Sequence, residues 1–190
     1  MRIVAGEFRG RRLHVPRGEQ IRPTTDRVRE AIFSIVSPHI AEARVLDLFA
    51  GTGAMGLEAL SRGAASAVFV DQRREAVRLV GSNIDLCGAR DRARIVQGPV
   101  ERAIRRLADG GEKFDLVFMD PPYGMGYVER TLPHLGEIAA EGVLVVAEHH
   151  VKDILPDRVG EWMRVRERRY GDTLVSFFEI FVQAENVEVE

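Results

Sequence analysis

Four consecutive residues, Asp120-Pro121-Pro122-Tyr123, carry the most chemistry in this 190-residue chain. They follow the apolar run Phe114-Asp115-Leu116-Val117-Phe118-Met119, of strand length, and so fall at a strand's carboxyl end. In open α/β sheets ligands bind there. A carboxylate and the rigid Pro121 carbonyl can both accept hydrogen bonds from one planar amino group, and a neighbouring aromatic ring can hold the flat base or amide that carries it. Such an amine is a poor nucleophile because its lone pair is delocalised. Two acceptors on its N–H groups favour a pyramidal nitrogen, which suits methyl transfer onto an exocyclic or amide nitrogen. The plain alternative is a Pro-rich turn.

A second cluster surrounds a glycine turn. Val45-Leu46-Asp47-Leu48-Phe49-Ala50-Gly51-Thr52-Gly53-Ala54-Met55-Gly56 reads as strand, turn and helix start, and Gly51, Gly53 and Gly56 match G-x-G-x-x-G. Asp71 closes the next strand, where an acid can bind a ribose diol; both features fit a dinucleotide site. The pattern alone leaves NAD and other adenosine cofactors open. Asp47 separates them, because a pyrophosphate at the loop would face its carboxylate at close range. S-adenosylmethionine has no phosphate and carries a sulfonium and an ammonium, so it is favoured over NAD.

These sites need a scaffold. Val45–Ala50, Ala67–Asp71, Ala93–Gln97, Asp115–Asp120 and Val143–Glu148 are apolar or β-branched runs that alternate with helical patterns such as Ala76, Val77, Val80, Ile84 and Cys87. That alternation predicts a mostly parallel sheet covered by helices on both faces. Met163–Tyr170 and Thr173–Val182, split by Gly171-Asp172, predict an antiparallel hairpin finishing the sheet. Val28, Ala31, Ile32, Ile35 and Val36 predict an amphipathic helix over 26–36, capped by Thr24, Thr25 or Asp26, with Arg27, Arg29 and Glu30 on its polar side. Residues 1–22 read as a basic hairpin extension, Arg2–Ala5 against Arg12–Val15. Residues 23–183 form the main domain and 184–190 an acidic tail.

The composition, 45% apolar and 29% charged, is that of an ordinary globular domain. No apolar run approaches the roughly 18 residues of a membrane span, and no signal-peptide pattern opens the chain, so a cytoplasmic location is expected. The single Cys87 excludes an intramolecular disulfide and a Cys-based metal cage, and reads as a buried thiol. No metal is expected, and nothing demands more than a monomer. The net charge of −2 hides an asymmetry: residues 1–30 carry +4 and the remainder −6. A basic arm on an acidic body suggests a polyanionic partner, with Arg9, Arg11 and Arg12 as its candidate contacts. Arg164, Arg166 and Arg168 alternate along one face of an edge strand, where charge blocks unwanted pairing. His149 and His150 read as a surface pair, and Trp162 as packing beneath the final hairpin.

With these motifs in place the chain resembles class I S-adenosylmethionine-dependent methyltransferases. Arg2–Gly6, Arg9-Gly10-Arg11 and especially Arg22-Pro23-Thr24-Thr25-Asp26-Arg27-Val28-Arg29-Glu30 narrow the likeness, as do Asp47–Gly56, Leu57–Ala64 and Asp120–Tyr123. They resemble RsmD-type bacterial 16S rRNA guanine-N2 methyltransferases over nearly the whole chain. The resemblance implies a Rossmann-like, seven-stranded sheet with a small amino-terminal hairpin. It implies methylation of one guanine amino group of 16S rRNA in the small ribosomal subunit, with S-adenosylhomocysteine as product. Cofactor roles carry to Asp47, Gly51, Gly53 and Asp71, with Arg22, Pro23 and Thr24 near the cofactor's cover. Acceptor roles carry to Asp120, Pro121, Pro122 and Tyr123.

Two departures stand out. Gln97-Gly98-Pro99-Val100 offers no acid for the adenine amino group after the third strand, and Ser34 replaces an Asn common after the helix's Phe. The rival activities are methylation of DNA adenine N6 or of a protein glutamine amide. A separate DNA target-recognition domain does not fit in 190 residues, and glutamine chemistry more often resembles an Asn-led motif.

Overall fold

The computed structural model describes residues 1–16 and 26–181. The boundary at residue 22, the Thr24 and Thr25 caps, Arg22, Pro23, Thr24 and the tail 184–190 lie outside the described residues.

One sheet organises the chain. Its strands are β1 (Arg44–Leu48), β2 (Ser66–Asp71), β3 (Ala93–Gln97), β4 (Phe114–Met119), β5 (Ala139–His150), β6 (Arg158–Val159), β7 (Trp162–Tyr170) and β8 (Thr173–Ile180). Their order is β3-β2-β1-β4-β5-β8-β7-β6. The first five run parallel and the last three pair antiparallel. Central parallel strands are buried on both faces, which is why β1, β2 and β4 are almost continuously apolar. Helices α1 (Asp26–Val36), α2 (Ala54–Ser61) and α3 (Arg74–Cys87) cover one face, and α4 (Val100–Asp109) and α5 (Tyr127–Thr131) the other.

Among the described residues the sheet has eight strands rather than the expected seven. The extra one is β6, which pairs Arg158 with Met163 and Val159 with Trp162. Gly160, at φ 60°, opens its two-residue turn as Gly171, at φ 65°, opens the turn between β7 and β8. A positive φ at the first turn position matches a type II′ hairpin. Trp162 is fully buried, in the core on the α4 face of the sheet.

The arginine stripe of β7 is broken. A bulge between Arg164 and Arg166 pairs Arg164 with Phe178 and Arg166 with Phe177, so the two point to opposite faces. Arg164 forms ion pairs with Asp157 and Glu167 instead. Arg166 and Arg168 do share a face and are exposed.

The amino-terminal arm is not a regular hairpin. A single bridge joins Arg2 and Arg12, and Ile3, Phe8 and Leu13 are buried in the core on the α1 face. Cross-strand bonds run only from Ile3 N to the Arg11 carbonyl, Leu13 N to that of Met1 and Gly10 N to that of Ile3 among the described residues, because α2 takes the next donors. Glu58 is wholly buried and accepts from Val4 N at 2.8 Å and Ala5 N at 3.0 Å, while Ser61 Oγ accepts from Phe8 N at 2.9 Å. Arg62 Nε lies 2.8 Å from Glu58, and Arg29 Nε 3.5 Å. Arg29 is thus fully buried rather than on the polar side of α1. Its charge is balanced by Glu58 and Asp26, and its guanidinium donates to the Arg2 carbonyl.

Breaking a buried ion pair strands its partner's charge. Glu58→Ala is therefore expected to destabilise the fold by about 3–5 kcal/mol and to open the arm to protease. Urea denaturation and limited proteolysis check both effects.

Candidate active site

The carboxyl ends of β1 and β4 lie side by side at the point where the strand order reverses, with Leu48 paired to Met119. The next residues, Phe49 and Asp120, therefore begin the glycine loop and the acceptor motif next to each other. They open into one cleft of about 770 Å³, lined among others by Asp47, Gly51, Asp71, Asp120, Pro121, Pro122 and Tyr123. Two stretches some seventy residues apart in sequence thus share one cavity.

The loop is built from close approaches. Phe49 holds φ 59°, an uncommon value for a bulky residue, and its ring lies 5.2 Å from that of Tyr127. Gly53 does not line the cleft. It caps α2 at φ 76°, and a Cβ there would sit 3.3 Å from both Phe69 and Val80. At Gly56 a Cβ would run into the Phe69 ring.

All three glycine amides are already committed. Gly51 N donates to Asp71 Oδ2 at 3.0 Å, Gly53 N to the Ala50 carbonyl at 2.7 Å, and Gly56 N to Asp47 Oδ2 at 2.9 Å. A pyrophosphate site needs such amides pointing at the ligand. Here two of them neutralise carboxylates instead, so the donor set fits a cationic ligand and not a dinucleotide.

The electrostatics agree. Burial pushes Asp47 up to about 7; the Gly56 amide opposes the rise and Asp71 adds to it. Asp71 Oδ1 accepts from Arg73 N at 2.9 Å. The Asp120 carboxyl is pushed well above the usual range by desolvation, then by Glu148 and Asp47. Asp120 nevertheless presents surface to solvent in the open cleft. Solvent that reaches it there tempers the rise.

Tyr123 is 42% exposed. Burial of its hydroxyl raises the phenol pKa, with the Thr173 hydrogen bond opposing and Glu148 adding to the rise. His150 is half-buried, with its ring 5.6 Å from that of Tyr123. His149 is not a surface residue. It is 2% exposed, 2.9 Å from Ser176 Oγ and 3.1 Å from the Asp153 carbonyl, and desolvation lowers its pKa. Cys87 is buried as expected.

Of the basic arm, Arg9, Arg11 and Arg12 are all exposed. Arg11 is tied down, donating to the Leu86 carbonyl at 2.7 Å with its guanidinium over the Phe8 ring. The arm also reaches the cleft: Met1 and Pro16 line it, and Asn83 Nδ2 donates both to His14 O at 3.1 Å and to Thr52 O in the glycine loop at 2.9 Å.

Glu101 lines the cleft just beyond the acid-free Gln97–Val100 stretch, as do Gln72, Tyr127 and Arg130. Glu101 stands in the first turn of α4, one residue past the stretch in which the adenine-binding acid is expected. Among the described residues no group of three or more His, Cys, Asp or Glu could hold a metal ion, and no helix is long and apolar enough to cross a membrane.

A doubly wound sheet ending in antiparallel strands, with a glycine loop and an Asp-Pro-Pro-Tyr motif in one acidic cleft, defines a protein of the class I methyltransferase fold. A family model described as "Conserved hypothetical protein 95" matches residues 1–179, and the chain belongs to that family. It is 37% identical over 188 residues to the ribosomal RNA small subunit methyltransferase D of Escherichia coli, covering 98% of this chain and 93% of that one. It is 36% identical over 181 residues to YlbH of Bacillus subtilis, covering 94% and 98%. The solved structure of yhhF from Escherichia coli superimposes with a TM-score of 0.82 at 38% identity, covering 96% and 99%.

A cation beside Asp47 favours its ionised form, so cofactor binding below pH 7 must expel a proton. Affinity for S-adenosylmethionine is expected to weaken, by at most about tenfold per pH unit, as pH falls from 7 toward 5.5. Asp47→Asn should flatten that dependence, as read by titration calorimetry. The cofactor-free protein shows the opposite trend. Because Asp47 is raised in the folded state, its stabilising contribution is fully present near pH 4 and is lost as pH rises through 7.

Proposed function

We propose that this protein transfers a methyl group from S-adenosylmethionine to the exocyclic N2 amino group of a guanine in 16S rRNA of the small ribosomal subunit, leaving S-adenosylhomocysteine. The observation that carries this reading is the shared cleft, in which Asp120–Tyr123 adjoin a glycine loop whose amides answer to carboxylates. The name of the Escherichia coli relative supports small-subunit rRNA as the substrate. The protein acts in the cytoplasm as a monomer, without a metal.

The bound cofactor supplies a methyl group already activated on a positively charged sulfur. Asp47 and Asp71 set the negative potential that receives the cofactor's cationic portion and its ribose hydroxyls. Gly51 allows close backbone approach, and Gly53 and Gly56 hold α2 against the sheet. The family resemblance assigns Arg22, Pro23 and Thr24, which lie outside the described residues, to the cofactor's cover. Asp120 and the Pro121 carbonyl accept the two N–H bonds of the guanine amino group, and Pro122 stiffens the turn. Their preset position makes the lone pair available at no reorganisation cost. A raised Asp120 carboxyl also suits it to take the proton that the nitrogen must lose after transfer. Tyr123 stacks on the base, which must be unpaired or flipped to reach the cleft. Arg9, Arg11 and Arg12 offer exposed charge to phosphates, Arg11 from a guanidinium already bonded to the Leu86 carbonyl.

Labelled S-adenosylmethionine incubated in parallel with naked rRNA, small subunits lacking the modification, and DNA decides the substrate. Label in rRNA or subunits supports the reading; label only in DNA, or in nothing, overturns it. Asp120→Ala should abolish transfer while leaving cofactor affinity unchanged, and full activity in that variant would remove Asp120 from its role. Replacing Arg9 and Arg12 with Ala should lower the slope of log affinity against log salt by about 0.7–0.9 per lost phosphate contact. Filter binding at several salt concentrations measures it, and an unchanged slope makes the arm ordinary surface.

A further inference from the structure

Glu148 stands near the carboxyl end of β5, the strand beside β4, and is only 8% exposed. Its Oε1 accepts a hydrogen bond from the Tyr123 hydroxyl at 2.9 Å. The same hydroxyl lies 3.4 Å from Thr173 Oγ1 on β8. The His150 ring sits 5.6 Å from the Tyr123 ring, tilted by 53°. Tyr123 is therefore held at its oxygen by two strands and supported on one side by an imidazole, while much of its ring remains open to the cleft.

Such a hold is needed. Tyr123 begins a loop in which Gly124 and Gly126 adopt φ 72° and 64° and Met125 is 55% exposed. A tyrosine there would lose rotamer freedom each time a base stacked on it, and prior anchoring removes that cost from binding. Glu148 also shares with Asp120 the wall of a small cavity behind the motif, beside Met55, Phe118 and Val175. The anchor and the amino-group acceptor are thus neighbours, and a shift of one is felt by the other.

We propose that Glu148 is the positioning residue of the acceptor site: through the Tyr123 hydroxyl it fixes the ring on which the target base stacks, with His150 as the backing. The inference rests on the acceptor-site reading above. It predicts that the Tyr123 hydroxyl does its work on Glu148 and not on the base, so that Glu148 and Tyr123 form one functional unit. Gln at position 148 keeps an oxygen acceptor for the hydroxyl; Ala does not.

The test is a double-mutant cycle on the full chain with Glu148→Ala, Tyr123→Phe and the pair together, plus Glu148→Gln as the conservative rescue. Glu148→Ala and Tyr123→Phe should each lower kcat/KM for unmodified small subunits by about tenfold, the scale of one hydrogen bond to a charged group. The double variant should lose no more than either single one. Glu148→Gln should recover most of the loss, and S-adenosylmethionine affinity should stay unchanged throughout. A second readout needs no substrate. The chain has three tyrosines, so carbon-13 tyrosine ring spectra are assignable with Tyr123→Phe. The Tyr123 ring should be restrained in the wild type and in Glu148→Gln, and should flip rapidly in Glu148→Ala. Additive losses, wild-type activity in Tyr123→Phe, or an unaltered ring in Glu148→Ala each overturn the proposal. Wild-type inactivity on every RNA with the ring response intact overturns the substrate reading and leaves the anchoring standing.

Discussion

Four adjacent parallel strands each deliver an acid to one end of the sheet: Asp47 from β1, Asp71 from β2, Asp120 after β4 and Glu148 from β5. Burial raises the carboxyls of Asp47 and Asp120, and the neighbouring acids add to the rise. The fold tolerates the cluster because three of the four have donors. Gly56 N answers Asp47, Gly51 N and Arg73 N answer Asp71, and the Tyr123 hydroxyl answers Glu148. Asp120 receives no donor among the described residues. In the proposed function it is the acid that meets the substrate amino group, and the other acids face the cationic cofactor.

The same constraint explains the local backbone. A glycine loop can bind phosphate only if its amides are free, and here the sheet acids occupy them. Strand pairing between Leu48 and Met119 then brings the loop against the acceptor motif, so donor and acceptor portions meet without any domain motion. The strained φ of Phe49 falls at this junction, where its ring packs on Tyr127 from the start of α5.

How much of this was legible in the sequence followed the range of each interaction. Asp120–Tyr123 and Gly51–Gly56 are contiguous, and their position at strand ends follows from the apolar runs before them; the structure places both as read. The helix over 26–36 and the parallel order were legible for the same reason, periodicity. Burial of Arg29 was not, because its partner Glu58 lies on another helix and a cation on an amphipathic helix reads as solvated. The arm's departure from a hairpin has the same origin: Val4 finds its acceptor 54 residues away and His14 finds Asn83 at 69. Burial of His149 was not legible because the strand that covers it, β8 with Ser176, lies 27 residues away. The two-residue β6 was foreshadowed by Gly160-Glu161, which repeats the pattern of Gly171-Asp172. The β7 bulge left no such mark.

The arm is more than an appended tail. Glu58 and Ser61 fasten one side of it to α2, and Asn83 fastens the other to α3 while bonding Thr52 in the glycine loop. Met1 and Pro16 consequently form part of the cleft wall. Arg9 and Arg12 are thereby displayed from a platform packed into the core on the α1 face, at a fixed offset from Asp120. An Asp-Pro-Pro-Tyr site by itself accepts any flat molecule with an amino group. In the proposed function, a basic surface at a set distance from it favours polyanions whose reactive base can reach the cleft while their phosphates rest on the arm.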